Sequence, residues 1–193
     1  MLVLGQEPTL ISMLRGRKSS RTSLRTVLAD ASQDLGLSGR ELYSSVCIGY
    51  ALLKTGADPD EISRLLSWQE FEHLSAALLR VSGYTVRENV VLTKPRAQLD
   101  IVATGQSIIL SVDCKHYRKG HGPSALQKFA MDQLRRSDLL RKRTIDHRLI
   151  ASVVLSLSEP EGRFVHGVAI VPIRTLRTFL ADLESFTGLL ELK

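Results

Sequence analysis

Asp100, Asp113 and Lys115 are the residues of this 193-residue chain whose types and spacing best suit chemistry. Asp113 and Lys115 stand two apart in the run Ile108-Ile109-Leu110-Ser111-Val112-Asp113-Cys114-Lys115. On a strand they share a face with Ile109 and Ser111, while Val112 and Cys114 turn the other way. Thr104-Gly105-Gln106-Ser107 reads as a turn, so Leu99–Ala103 and Ile108–Lys115 form a hairpin. Folding it about Gly105 brings Asp100 to within a residue or two of Asp113 on the neighbouring strand. Adjacent carboxylates repel unless a cation or a proton lies between them. A hard divalent cation resolves the conflict, and Mg²⁺ commonly takes one or two carboxylates together with phosphate oxygens.

Two further polar residues converge on this place. In the helix before the hairpin, Trp68, Phe71, Leu74, Ser75, Leu78 and Leu79 form one apolar arc, with Glu72 at its rim. Glu70 has a local duty as the third residue after Ser67 in a capping box, whereas Glu72 has none. In the helix after the hairpin, Gln133 falls within the face made by Leu126, Phe129, Ala130, Leu134, Ser137 and Leu140. A buried amide must find partners, either a backbone carbonyl or the carboxylate patch and its ligand.

The elements that hold these residues follow from periodicity and punctuation. Ser23–Leu35 is helical in spacing. Ser38-Gly39-Arg40-Glu41 has the form of a capping box and predicts a helix running to about Lys54, which Gly56 ends. Pro59 opens a short helix to about Leu66. The Ser67 box starts the next, which stops before Gly83. Tyr84-Thr85-Val86 is β-prone, and the hairpin follows. Pro123 opens a long helix to about Lys142. Leu149–Leu157 and Phe164–Val171 read as two strands split by Glu159-Pro160-Glu161-Gly162, and Pro172 leads into a last helix to about Glu184. The expected fold is α/β, a mixed central sheet flanked by helices over residues 67–193, preceded by a helical unit over residues 1–66.

Composition narrows the function. Hydrophobic residues make up 44% and charged residues 24%, enough for a packed core. No apolar run is long enough for a membrane span and no signal-peptide pattern opens the chain, so a cytoplasmic protein is expected, with Cys47 and Cys114 as free thiols. The five histidines show no zinc spacing with cysteine, and there is no phosphate-binding Gly-Lys-Ser/Thr loop, dinucleotide fingerprint or Gly-x-Ser-x-Gly elbow. The net charge is +6. Residues 115–148 hold ten Lys or Arg against three acids, and a second run joins Arg15, Arg17, Lys18, Arg21 and Arg25. Such clusters suit a polyanion. His116, Arg118, Lys119, Lys128, Arg135 and Arg136 are the candidate phosphate contacts, with Arg118-Lys119-Gly120-His121-Gly122 directly following the Lys115 strand.

The order Phe71-Glu72, Gly83-Tyr84, Leu99-Asp100, Asp113-Cys114-Lys115 resembles the PD-(D/E)XK, or restriction-endonuclease-like, nuclease superfamily, with the Mrr-like restriction endonucleases and archaeal Holliday-junction resolvases as its nearest branches. The resemblance spans about residues 67–158. It implies a metal-dependent DNA endonuclease using Mg²⁺, or Mn²⁺ in its place. Asp100 and Asp113 would be metal ligands, Lys115 would orient or activate water and stabilise phosphate charge, and Glu72 would assist through the metal or a bound water. Gln133 looks like the helical glutamine of RecB-like relatives. Leu99 stands where the pattern has proline, Ser137 where those relatives have tyrosine, and Asp113 where Mrr-like members often have glutamine. A homodimer is expected, because cutting two strands needs two sites, and residues 1–66 could serve dimerisation or DNA contact. A structure-specific resolvase is the alternative enzyme, and a silent nucleic-acid-binding module the alternative from another class. Intact Glu72, Asp100, Asp113 and Lys115 speak against silence.

Overall fold

Alternating apolar residues from Val90 to Val112 and the doubly apolar run Leu149–Ser156 call for a sheet covered on both faces. The computed structural model describes residues 24–38, 41–116, 122–158 and 163–192 and contains that sheet. Four helices come first: α1 (Leu24–Asp34), α2 (Ser45–Lys54), α3 (Pro59–Leu65) and α4 (Trp68–Val81). The strands β1 (Thr85–Thr93), β2 (Arg96–Thr104) and β3 (Ile108–Lys115) form an antiparallel meander. Helix α5 (Pro123–Arg141) crosses over to β4 (Leu149–Ser156), parallel to β3. Then come β5 (Phe164–Val165), β6 (Val168–Pro172) and α6 (Leu176–Ala181). The six strands lie in the order β1-β2-β3-β4-β6-β5, with β6 parallel to β4 and antiparallel to β5. This is the mixed α/β sheet flanked by helices that the sequence predicts.

Each face of the sheet has its own cover. Leu110, Val112, Val153 and Leu155 point into a large cluster with Phe71, Leu74 and Leu78 of α4, which continues through Leu28, Ile48, Leu52 and Ile62 of α1–α3. On the other face, Ile109 and Ile150 meet Leu140 of α5, and Val154 and Ile170 meet Leu126, Ala130 and Leu134. The helices before residue 67 thus share one core with α4 and the sheet.

Several element boundaries differ from expectation, β1 running on to Thr93 and β2 starting already at Arg96 among them. The Ser38–Glu41 contacts form, with Glu41 Oε2 accepting from Ser38 N–H and Oγ at 3.0 and 2.8 Å, but they close a turn. The helix begins at Ser45, because Ser44 Oγ caps Cys47 N–H and so makes the better start. Phe164–Val171 is two strands. His166 and Gly167 both take positive φ, 50° and 74°, as a two-residue hairpin turn requires. A Cβ on Gly167 would come within 2.6 Å of Glu191, so only glycine fits there. The last helix is broken into a 3₁₀ turn at Ile173–Thr175, α6, and a second 3₁₀ segment at Leu183–Leu189.

Candidate active site

The site grows from a flaw in the sheet. The β2–β3 ladder pairs Ile101 with Val112 and stops there, although the same register would next place Asp100 opposite Asp113. On the other side of β2, Glu88 pairs with Ile101 and Val90 with Leu99, while Asn89 takes φ 51° and leaves Asp100 without a ladder partner again. Asparagine tolerates this left-handed conformation better than most residues. With the ladder open on both sides, the Asp100 carboxylate accepts the Cys114 N–H at 2.7 Å. A side chain thus replaces a strand partner and is held at the strand junction beside Asp113.

Asp113 is almost fully enclosed, its side chain 4% exposed. Both oxygens face cations. Arg136 Nη1, from α5, lies 2.5 Å from Oδ1, and Lys115 Nζ lies 2.6 Å from Oδ2. The lysine contact is an ion pair whose angle falls short of a regular hydrogen bond, so Oδ2 is buried with no hydrogen-bond donor. Lys115 Nζ also stands 5.1 Å from the Phe129 ring centre, which steadies the ammonium over an aromatic face. Gln133, fully buried, donates through Nε2 to Ser111 O and Oγ at 2.6 and 2.9 Å. Of the two roles open to it, the amide thus takes the backbone carbonyl, and it fixes α5 against β3 two residues from Asp113. Its Oε1 is buried with no hydrogen-bond partner.

Glu72 reaches the same cluster from the opposite layer. Ser67 caps α4 and Glu70 Oε2 returns to the Ser67 N–H at 2.7 Å, while Glu70 Oε1 accepts from Ser45 Oγ. Glu70 therefore serves the helix start, and Glu72, two residues on and 6% exposed, faces inward. Burial, and next the Asp100 charge, push its carboxyl up to about 7. Burial likewise raises Asp100, against the Cys114 N–H that favours its ionised form. Three acids and two bases crowd one place, so the fully charged cluster carries an excess negative charge.

A stability prediction follows for protein kept in chelator. A carboxyl raised on folding stabilises fully below its unfolded value, and that share is lost as pH rises through the folded value. Between pH 5 and 8, wild type is expected to lose several degrees of Tm more than Glu72→Gln, the window set by the shift from 4.5 to about 7. His73, Glu88, Asp100 and Asp113 are the charges that face Glu72. Parallel melting curves for the two proteins would contradict it.

Residues 63–137 match the sequence model of the Mrr catalytic-domain family, described as restriction endonuclease. That stretch is therefore similar to the catalytic domain of Mrr-type restriction endonucleases. The matched stretch contains Glu72, Asp100, Asp113, Lys115, Gln133 and Arg136. An uncharacterized protein of Archaeoglobus fulgidus is 29% identical over 124 residues, covering 63% of this chain and 95% of its own. No solved structure matches the chain significantly.

The phosphate contacts expected from the sequence fall in different places. Lys128 and Arg135 are exposed on α5, seven residues apart on one stripe. Arg136 instead turns inward to Asp113. The His116 ring packs 5.8 Å from Phe71, on the α4 side. Arg118 and Lys119, with their glycine loop, lie outside the described residues, as does the run Arg15–Arg21. The basic span 115–148 is not one surface. Arg141 donates to the carbonyls of Thr144, Asp146 and Arg148, and Arg148 pairs with Asp146 and Gly105 O, at the end of β3 remote from Lys115. These arginines brace the α5–β4 loop, whose carbonyls need donors where the helix ends. Sequence reasoning missed the Arg136–Asp113 pair. Its signal was the spacing Phe129, Gln133, Arg136, one helical stripe facing β3.

Proposed function

We propose that this domain is a divalent-cation-dependent DNA endonuclease that hydrolyses phosphodiester bonds, with Mg²⁺ as its working ion and Mn²⁺ as a substitute. The observation that carries the reading is the open ladder at Asp100, which leaves two carboxylates, Lys115 and Glu72 in one enclosed cluster. The donor set fits a hard cation. Asp113 Oδ2 is a buried oxygen that the Lys115 ammonium faces without a regular hydrogen bond, so both Asp113 oxygens already sit against positive charge, and the cluster holds more acids than bases. Among the described residues no three of His, Cys, Asp and Glu stand close enough together to enclose an ion by themselves. The protein would therefore supply Asp100 and Asp113, with Glu72 through water, and leave the remaining positions to water and phosphate oxygens. That is the usual habit of Mg²⁺.

When bound, the ion neutralises phosphate oxygens and makes attacking water more acidic. The chain's own residues do the rest. Asp100 and Asp113 hold fixed negative charge on one side of the substrate. Lys115, steadied by Phe129, donates toward the charge that grows on phosphate oxygen, where a preplaced cation is worth most. Glu72, its carboxyl near neutrality, can take a proton from water at working pH. Exposed Lys128 and Arg135, with Arg118, Lys119 and His116, supply backbone contacts that position the duplex without reading its sequence. Two such sites in a homodimer would cut both strands, and residues 1–66 are the candidate for holding that dimer or gripping DNA.

The test is incubation of full-length protein with supercoiled plasmid and Mg²⁺ or Mn²⁺. Relaxed and linear products that vanish with chelator are expected. Retarded plasmid with no cleavage would mean a binding module. A four-way junction cut far faster than linear duplex would mean a resolvase.

A further inference from the structure

Arg136 occupies a carboxylate that the proposed reaction needs. Its guanidinium lies 2.5 Å from Asp113 Oδ1, and Lys115 covers Oδ2, so both oxygens of the acid face cations. The three side chains differ in access. Asp113 is 4% exposed, Lys115 18% and Arg136 24%, which makes the guanidinium the most open of the three. The backbone behind it is anchored. Gln133 ties α5 to Ser111, and Ser152 Oγ donates to Ser137 Oγ at 2.7 Å on either side of Arg136. Any change of partner is therefore a movement of the arginine side chain alone. Next to it, Arg135 and Lys128 offer an exposed basic stripe along which a polyanion would arrive.

We propose that Arg136 is an exchangeable counter-ion: it holds the Asp113 carboxylate until DNA phosphate draws the guanidinium away and frees Oδ1 for the cation. The inference rests on the nuclease reading above. It has a thermodynamic consequence that a merely structural ion pair lacks. Cation and DNA must each tighten the binding of the other, by the same factor, because both displace the same contact. The free protein then holds the cation weakly, and the site assembles fully only with duplex in place.

The measurement is Mn²⁺ affinity by electron paramagnetic resonance, with and without a short phosphorothioate duplex, which keeps the backbone charge and resists hydrolysis. Wild type is expected to bind Mn²⁺ about tenfold more tightly with duplex than without, the scale of one charge-assisted contact. Arg136→Gln should bind Mn²⁺ about tenfold more tightly than wild type in the absence of DNA and gain less than wild type from adding it, because only the phosphate ligation of the ion then remains to couple the two. Arg136→Lys, which keeps the charge, should restore much of the coupling. Thermal melting of each variant in chelator shows that it is folded. If Arg136→Gln is folded and its affinity without DNA equals or falls below that of wild type, Arg136 is a structural partner and the inference is overturned, while the nuclease reading stands. If no Asp113-dependent Mn²⁺ binding occurs in any variant, both fail together.

Discussion

Asp113→Asn is expected to lower plasmid cleavage by about 10²–10³-fold or more while leaving the protein folded. The asparagine keeps the shape of a side chain that is 4% exposed, so the sheet and α5 should hold their packing. What it removes is the fixed charge that both Lys115 and Arg136 face at 2.6 and 2.5 Å. The loss is larger than for a surface acid, because here the charge sits where water cannot replace it. Single-turnover cleavage with saturating enzyme separates this from weakened DNA binding. Lys115→Ala should fall by a similar amount, since the proposed reaction uses its charge against the phosphate. Cleavage within tenfold of wild type in both variants would remove Asp113 and Lys115 from the site. A Tm lowered by more than a few degrees in Asp113→Asn would instead mean that the acid serves the fold.

The largest effect on stability should come from Phe71→Ala. Phe71 is fully buried between the sheet and the helices that precede it, and it is among the largest side chains so enclosed. Its cluster includes Leu28, Ile48 and Leu52 on one side and Leu110 and Val112 on the other. Truncation there loses transfer energy and leaves a cavity that packed neighbours cannot fill, about 3–5 kcal/mol in comparable sites. For a chain of this size that corresponds to a fall in Tm of about 6–20 °C. Urea unfolding with an unchanged m-value is the appropriate measurement, since a changed slope would signal an altered unfolded state. A loss under about 1 kcal/mol would show that the helical layer is not packed on the sheet through this residue. Glu72 is its neighbour in sequence but points to the acid cluster, so cleavage per folded molecule should survive at low temperature.

Local rules made much of this molecule legible before any coordinates. Ser67 and Glu70 identify the start of α4, because their reciprocal hydrogen bonds need only residues three apart. Gly105 and the apolar runs beside it identify the β2–β3 hairpin and the shared face of Asp113 and Lys115, because strand alternation has period two. The split of Phe164–Val171 at His166-Gly167 was hidden, since histidine is an unusual residue for a positive φ and the run is otherwise apolar. The split of basic residues between an exposed helix stripe and loop-bracing duties was hidden too, since charge counts carry no direction.

By itself, the order of residues determined the α/β class, the helices and strands that carry the acids, and the hairpin that brings Asp100 near Asp113. Each of these depends on contacts a few residues apart or on one tight turn. Only the tertiary structure decided that the ladder opens at Asp100, that Gln133 holds Ser111, and that Arg136 lies on Asp113 rather than on the surface. Those outcomes arise where a helix and strands distant in sequence meet, and a buried charge there takes whichever partner the packing brings within reach.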